Sequence, residues 1–568
     1  MCLNEQCSST ARLWALGGWL LTLLAPAVGQ GLPNAGSLLR DIQAAPSADV
    51  RKETQREPAV LQAGAPEVPL SPPFEVRQLE IVGNTVFDSD SLHALVAGAE
   101  GQWLTLQQID DAIGAITRRY QDAGYPLSRA IIPAQTIEEG LVRIQVLEAT
   151  WGSVQFQNQS AVEDAVLVRT VSDLRGGEPI TQALLDRAIL LVNDLPGVQP
   201  QALFRPGPLP GSSDLFVDVQ AAETYRADAQ LDNFGSDYTG RNRLALRVNS
   251  NNLLHLADSM RLSALTTGDG MNHLAAAYEL PVATPGLSFG WSASALNYKL
   301  GNRAARLGAH GNAVQTGAWL RHALVRGARG NFSARLSYDQ HRLQDDVDSA
   351  EVYNHRTVGL AGLEFNADRS DDWFGGGQNS GSWGLQSGKV AFDNADAGAA
   401  DALTRNSAGG FAKTSLAFSR AQALDAANSL LFTFSGQWAR KNLDASQKFS
   451  LGGVNNVRAY EGGVLSGDTG QFASLEMRHS LAPDATSIGT WRATVFVDAG
   501  QVQINQTPWS SGNNQAYISG AGVGLEWQGP SKWYARMHIA RALAPAPSQL
   551  DGASDTHSSA WLQIGWDL

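Results

Sequence analysis

Residues 449–470 read F-S-L-G-G-V-N-N-V-R-A-Y-E-G-G-V-L-S-G-D-T-G, which is too rich in glycine for a helix. The stretch also interrupts the alternation of apolar and polar residues on both sides of it, and its central cation is Arg458. Further on, residues 491–500 read W-R-A-T-V-F-V-D-A-G, an alternating strand that places Asp498 on the face opposite its valines. Together the two pieces predict a loop that folds back into a β-barrel, where Arg458 pairs with Asp498.

The composition limits the class of protein to which the chain belongs. The chain has 568 residues and a net charge of −13, which argues against nucleic acid as the main partner because phosphate binding requires clustered Lys and Arg. Beyond residue 30 no apolar run reaches the roughly 18 residues of a membrane-spanning helix. The strands of a membrane barrel remain compatible with this, because their apolar face is hidden in alternation.

The N-terminal residues predict a secretory signal peptide over 1–27. Arg12 precedes the apolar run 13–24, and an A-x-A cleavage site follows it. Since the cysteines of the chain are Cys2 and Cys7, the mature protein would contain none.

Residues 28–73 predict a short helix followed by a linker. The helix is expected over 31–45, where Leu38, Leu39 and Ile42 share one face, and the polar stretch that follows is spotted with proline. The alternative is that residues 31–73 are disordered.

Residues 74–149 and 150–222 predict two successive α+β units, each with the order β-α-α-β-β. In the first unit, Thr105 and Gln108 have the spacing of a capping box at the start of a helix that Gly124 ends. Its predicted strands are 74–82, 127–133 and 141–147, and the second unit has strands at 152–157, around Phe204 and at 215–219, with helices at 161–174 and after Thr181.

Residues 223–568 predict an antiparallel transmembrane barrel of about sixteen strands without any helix. By parity, the connection 441–469 between strands eleven and twelve is extracellular and enters the barrel from outside. The predicted strands are 225–233, 242–250, 258–267, 271–280, 286–300, 309–325, 329–341, 353–367, 379–393, 408–424, 427–440, 470–480, 489–503, 516–527, 531–543 and 558–568.

Several motifs resemble those of the outer-membrane transporters of two-partner secretion. V-R-A-Y at 457–460 resembles the family's V-R-G-Y loop motif, with Ala459 in place of glycine, and 496–500 resembles its F-x-D-x-G strand motif. G-N-T-V-F at 83–87 is typical of the first polypeptide-transport-associated (POTRA) domain of this family, and 231–241 resembles the stretch that opens its barrel.

The resemblance implies a Gram-negative outer-membrane transporter that recognises an unfolded exoprotein with two periplasmic POTRA domains and passes it outward through the barrel. It implies that the helix at 31–45 plugs the pore. The implied partners are a large β-helical adhesin or haemolysin, outer-membrane lipid and the barrel assembly machinery. The residues that capture the exoprotein within 74–222 are not identified by any motif. The implied site residues are Arg458 and Asp498 as the latch, Val457, Ala459 and Tyr460 in the loop motif, and Phe496 and Gly500 in the strand motif.

Two other functions remain open at this point, an outer-membrane insertase of the same superfamily and a passive porin or receptor barrel. The preceding helix and linker and the number of periplasmic units favour secretion. No catalytic, metal or cofactor site is predicted, because residues 384–390 have the wrong spacing for a phosphate loop and no H-E-x-x-H occurs. The acidic run 345–348 is interpreted as a solvated extracellular loop rather than a calcium site.

Overall fold

The computed structural model of the chain describes residues 32–44, 71–481, 488–545, 547 and 558–568. The predicted signal peptide and most of the predicted linker lie outside the described residues. Among the residues that are described, no helix is long and apolar enough to cross a membrane.

The N-terminal part consists of one helix and the first α+β unit. In that unit a three-stranded sheet in the order β2-β5-β4 packs against two helices, and the capping box predicted at Thr105 and Gln108 is formed in both directions. The bounds are α1 Ala35–Ala44, β1 Phe74–Val76, β2 Gln78–Val82, α2 Ser89–Val96, β3 Gln102–Leu104, α3 Leu106–Asp122, β4 Arg129–Ile131 and β5 Leu141–Leu147.

The second unit repeats this plan with a sheet in the order β6-β8-β7. Its first helix is shorter than the predicted 161–174, because Ser160 forms a turn on the Asn158 side chain and Val171 already lies in the core beyond the helix end. The bounds are β6 Thr150–Asn158, α4 Asp164–Thr170, α5 Gln182–Asn193, β7 Val198–Pro206 and β8 Ser212–Ala221.

The remaining chain confirms the predicted barrel of sixteen antiparallel strands, which closes where β26 pairs with β9. Lipid-facing and lumen-facing residues alternate, so that Val495 and Val497 are exposed on the outside while Phe496 and Asp498 are buried inside. The strands are β9 Tyr225–Asp232, β10 Arg243–Asn251, β11 Ser259–Thr266, β12 Met271–Pro281, β13 Leu287–Lys299, β14 Ala309–Arg326, β15 Gly330–Val347, β16 Val352–Asp371, β17 Gly377–Phe392, β18 Gly409–Ala423, β19 Asn428–Ala439, β22 Thr469–Leu481, β23 Thr490–Gln503, β24 Gln515–Gln528, β25 Trp533–Ala542 and β26 Ser558–Asp567.

Two expectations for the extracellular side are wrong. A helix, α6 Ala395–Leu403, lies between β17 and β18, because its alanine-rich sequence favours helix without needing apolar periodicity. The acidic run 345–348 is not a solvated loop either, since β15 extends to Val347 and Asp345 is largely buried inside the barrel. The strand continues there because every residue from Asp345 to Val347 keeps its register with β16.

Candidate functional site

The connection between β19 and β22 folds into the barrel as a hairpin. Its two short strands, β20 Phe449–Leu451 and β21 Leu465–Gly467, pair antiparallel and carry the loop tip between them. Gly452 has a φ of 93°, a left-handed conformation that side chains disfavour, and it starts the tight turn toward Arg458. The glycine-rich sequence thus serves a compact tip that narrows the lumen.

The apolar residues beside Arg458 are packed against the barrel wall. Val457, Ala459 and Tyr460 are fully buried, and they belong to one cluster with inward-facing wall residues. The cluster also contains Leu451, Leu465, Phe472, Phe496, Val502, Ile504, Ala516, Ile518 and Ala540. Burial of this apolar surface fixes the loop tip to one side of the lumen.

Ala459 is accommodated by a glycine on the opposing strand. A Cβ atom added to Gly520 of β24 would lie 2.6 Å from the Ala459 Cβ, so the wall has no room for a side chain at that point. The Ala459 carbonyl also accepts a hydrogen bond from Ser559 Oγ at 3.0 Å. The departure from the glycine of the family motif is therefore matched by a glycine in the wall.

Arg458 and Asp498 form a bidentate ion pair, the geometry in which guanidinium and carboxylate bind most strongly. Arg458 Nε lies 2.9 Å from Asp498 Oδ2, and Nη2 lies 2.8 Å from Oδ1. The Arg458 backbone N–H donates to the same carboxylate at 3.1 Å, and Ser474 Oγ donates to it at 2.7 Å. Asp498 is completely shielded from solvent, so its charge depends on these donors.

Glu476 is a second carboxylate partner that the sequence analysis did not identify. Its Oε2 atom lies 2.7 Å from Arg458 Nη1, and its Oε1 atom accepts from Arg478 Nε at 2.7 Å. The alternation of β22 was the available signal, because Ser474, Glu476 and Arg478 share its inward face. The positive charges of Arg458 and Arg478 thus balance the negative charges of Asp498 and Glu476.

Aromatic side chains complete the surroundings of Arg458. Its guanidinium carbon lies 3.3 Å from the centroid of the Phe496 ring, which gives a cation–π contact. Trp561 Nε1 donates to the Arg458 carbonyl at 2.7 Å. Phe496 therefore has a contact role within the site, whereas Gly500 serves packing, because a Cβ there would lie 2.6 Å from Leu451.

Helix α1 lies inside the barrel and contacts both the wall and the base of the loop. Leu38 and Leu39 are buried in a cluster with wall residues that include Leu296, Leu343 and Val358. On the loop side, Arg40 Nη1 donates to the Ala445 carbonyl at 2.8 Å.

A second buried arginine cluster receives the start of α1. Arg356 lies 2.7 Å from Asp345 and 2.5 Å from Asp444, and its side chain is 2% exposed. The Ala35 backbone N–H donates to Asp345 Oδ1 at 2.6 Å. Asp444 belongs to the inward-folded connection 441–469, so this cluster joins wall, loop and helix.

The motif at 83–87 has a structural role in the first unit. Glu148 Oε1 accepts hydrogen bonds from the Thr85 and Val86 backbone N–H groups at 2.7 and 2.8 Å and from the Tyr120 hydroxyl at 2.7 Å. Burial opposes the ionisation of Glu148, but a hydrogen bond from the Thr85 hydroxyl together with these three outweighs it and holds the pKa of its carboxyl below the usual range. The motif therefore shapes a turn that Glu148 holds in place.

Comparison with solved structures shows the same architecture. CdiB from Escherichia coli superposes with a TM-score of 0.69 at 19% sequence identity and covers 100% of both chains. CdiB from Acinetobacter baumannii gives a TM-score of 0.61 at 19% identity, covering 98% of this chain and 97% of that one. BamA from Haemophilus ducreyi shares the fold at a lower TM-score of 0.51 and 14% identity.

Sequence relatives match over most of the chain. The heme/hemopexin transporter protein HuxB of Haemophilus influenzae strain 86-028NP is 25% identical over 561 residues, which cover 96% of both chains. The outer membrane transporter CdiB of Escherichia coli is 25% identical over 478 residues, 80% of this chain and 76% of the relative.

A sixteen-stranded barrel that contains a loop and a helix and follows two α+β units defines an outer-membrane transporter with periplasmic POTRA domains. The model of the POTRA domain of ShlB type matches residues 74–149, and the model of the haemolysin secretion/activation protein ShlB/FhaC/HecB matches residues 211–527. The chain belongs to this second family, the outer-membrane transporters that translocate exoproteins in two-partner secretion. Membership favours secretion over the insertase and porin alternatives.

Proposed function

We propose that the POTRA pair captures an unfolded exoprotein in the periplasm and feeds it to a barrel that is narrowed at rest by the loop 441–469 and by α1. The observation that carries this proposal is that the loop 441–469 and helix α1 both lie inside the barrel. Both pieces enter the lumen as separable segments fixed by side-chain contacts, rather than as part of the wall. A passive pore has no need for such segments or for periplasmic domains.

The Arg458–Asp498 pair acts in this proposal as the latch of the loop. Each of the three hydrogen bonds from Arg458 to Asp498 ends on a strand of the wall, so the loop tip cannot move without leaving a buried carboxylate unpaired. Breaking a buried pair of this kind costs about 3–5 kcal/mol.

Helix α1 acts as the plug, and its contacts are of a different kind. Its polar contacts are the Ala35 N–H on Asp345, the Arg40 contacts with loop carbonyls and a hydrogen bond from Gln43 to Gln315, and its apolar burial is that of Ala35, Leu38 and Leu39. The exported chain displaces it without separating a buried ion pair of the helix.

The exported partner in this proposal is a large β-helical exoprotein, an adhesin or a haemolysin. The relatives are named as a heme/hemopexin transporter protein, a hemolysin transporter protein and the outer membrane transporter CdiB, which supports an exported protein as the partner. Outer-membrane lipid surrounds the exposed apolar face of the strands, and the barrel assembly machinery inserts them.

Deletion of residues 74–222 tests the capture role. We expect a barrel that inserts in the outer membrane at normal abundance and no longer exports its exoprotein. A control is the deletion of residues 32–44, which keeps the POTRA pair and should leave export close to wild type. Normal export by the deletion variant at equal barrel abundance would contradict the proposal.

A further inference from the structure

We propose that the outer edge of β6, over residues 154–158, is the place where an extended segment of the exoprotein adds as a further strand. The inference rests on the proposed function and specifies the surface within 74–222 that carries it. Strand addition requires a sheet edge whose outward N–H and C=O groups are free. The two POTRA sheets have four outer edges, on β2 and β4 in the first and on β6 and β7 in the second.

Side chains of the first domain already occupy part of both edges of its sheet. On β2, the Leu79 N–H donates to Glu100 Oε1 at 2.8 Å. On β4, which has three residues, the Ala130 N–H donates to Thr117 Oγ1 of α3 at 3.1 Å. A strand added at either edge would have to displace an acceptor that already satisfies the backbone.

Proline blocks the edge on β7. Pro200 and Pro206 have the same parity along the strand, and they face Val219 and Ser213 of β8. Proline lacks an N–H and is tolerated where its nitrogen points away from the ladder, so both lie in the outward row. That row therefore lacks donors at two of its positions, which is a common protection of edge strands.

The edge on β6 has neither kind of protection beyond its first residues. Near its start, the Trp151 N–H donates to the Glu178 carbonyl at 2.9 Å. Further on, the Gln159 N–H donates to the Val219 carbonyl of β8 at 2.8 Å, which fixes the phase of the ladder. The backbone N–H and C=O groups of odd-numbered residues in this part of the strand thus bond to β8, and those of even-numbered residues point away from the sheet.

The outward groups of β6 belong to Val154, Phe156 and Asn158. Among the described residues no hydrogen-bond partner lies at their backbone N–H or C=O groups. The nine residues of β6 contain no charged side chain, although charges are the usual means of preventing strand addition at an edge. Gln155 and Gln157 are exposed on the solvent face, while Val154 and Phe156 are partly buried on the other.

This pattern specifies the chemistry of the segment that binds. The segment is extended and uncharged, and it alternates polar residues beside Gln155 and Gln157 with apolar residues beside Val154 and Phe156. The edge also leads to the pore, because just beyond β6 the Glu163 N–H donates to the His255 carbonyl of a barrel turn at 2.9 Å. A segment that follows the edge therefore arrives at the periplasmic rim.

Disulfide trapping tests the edge directly in the full-length chain with Cys2 and Cys7 replaced by Ser. The probe is a synthetic ten-residue peptide of alternating Thr and Val that carries one cysteine. We compare Gln155→Cys on β6 with Gln199→Cys on β7, two exposed glutamines of the same sheet. We expect at least about tenfold more crosslinking at position 155, a difference of about 1.4 kcal/mol. Equal trapping, or stronger trapping at 199, would overturn the proposal.

Export provides the second measurement. The pair Gln155→Lys and Gln157→Lys adds charge to the open edge, and the pair Gln199→Lys and Gln201→Lys is the matched control. Asp218 of β8 faces both Gln157 and Gln201, so the two pairs meet a similar environment. We expect export to fall about tenfold with the first pair and to stay near normal with the second, at equal barrel abundance. Equal loss with both pairs would overturn the edge assignment.

The two measurements also separate this inference from the proposed function. If the unmodified chain exports no exoprotein that is produced with it, the proposed function fails. The trapping ratio between positions 155 and 199 still decides whether β6 binds an extended segment.

Discussion

Two buried arginines fix the contents of the barrel lumen, and they do so differently. Arg458 belongs to the loop, and its carboxylate partners Asp498 and Glu476 belong to the wall. Arg356 belongs to the wall, and its partners are Asp345 of the wall and Asp444 of the loop. Helix α1 adds no charge to either cluster and meets the second one through the Ala35 backbone N–H.

The difference separates a retained element from a releasable one. If the loop leaves, Arg458 loses both of its carboxylates, Asp498 loses its cation and Arg356 loses Asp444, while Glu476 keeps Arg478. If the helix leaves, the ion pairs of both clusters stay intact, and Asp345 still has Arg356 and the Tyr298 hydroxyl at 2.7 Å. The architecture therefore predicts that the helix moves more readily than the loop.

The largest effect is expected from breaking the Arg458–Asp498 pair. Arg458→Ala and Asp498→Ala each leave a buried charge without its main partner, at a cost of about 3–5 kcal/mol. We expect each variant to insert and to reduce secretion sharply. The measurement is the amount of exoprotein in the medium, normalised to barrel abundance.

The charge swap Arg458→Asp with Asp498→Arg sharpens this result. The swap should restore part of the secretion that the single alanine variants lose. The single variant Arg458→Lys should secrete less than wild type, because a lysine cannot form the two parallel hydrogen bonds of the guanidinium. In a double-mutant cycle the two alanine changes should be far from additive. Strictly additive losses would show that the two residues do not act as a pair.

Glu476→Gln should have the next largest effect. The substitution keeps the shape of the side chain but removes a charged acceptor from Arg458 and Arg478, which is worth about 1.5–3 kcal/mol. Secretion should fall less than with Asp498→Asn, because Asp498 accepts the bidentate pair and the backbone N–H. If Glu476→Gln equals or exceeds Asp498→Asn, Glu476 is the main partner of the loop.

The sequence predicted the ion pair at Arg458 and missed most of the second cluster, around Arg356, for a physical reason. Arg458 and Asp498 each stood alone as charges within recognisable motifs, whereas Asp345 and Arg356 meet through strand register and Asp444 reaches them through the inward fold of the connection 441–469. In that register Arg356 faces Leu343, two positions from Asp345, and a shift of one residue would separate the two charges onto opposite faces. Register is set by the whole closed barrel, so no local pattern reveals it.

The other features were predicted or missed according to whether a local sequence pattern carries them. The number of strands and the Thr105 capping box follow from local alternation and spacing, which the sequence carries directly. The same alternation, applied to β22, would have placed Glu476 on the inward face beside Arg458. Helix α6 lacks the apolar periodicity that predicts a helix from sequence, because Asp401 is the buried residue among its nine.

A smaller effect is expected where the loop tip touches Gly520. Gly520→Ala should push Ala459 away from the wall at a cost of about 1–3 kcal/mol, because the new Cβ would lie 2.6 Å from the Ala459 Cβ. Adding Ala459→Gly removes the clash and should restore secretion. The measurement is secretion by the two single variants and the double variant, and failure of the double variant to recover would place the cause outside this contact.

Removal of residues 32–44 should have the smallest effect on secretion and a clear effect on conductance. The helix fills part of the lumen with Leu38 and Leu39, yet its departure separates no buried ion pair. Single-channel recordings in planar bilayers should show higher conductance, while secretion stays close to wild type. A deletion of the same length within residues 46–70 is the matched control and should leave conductance unchanged. Unchanged conductance without the helix would mean that it does not plug the pore. A loss of secretion as large as that of Arg458→Ala would mean that the two arginine clusters retain loop and helix alike.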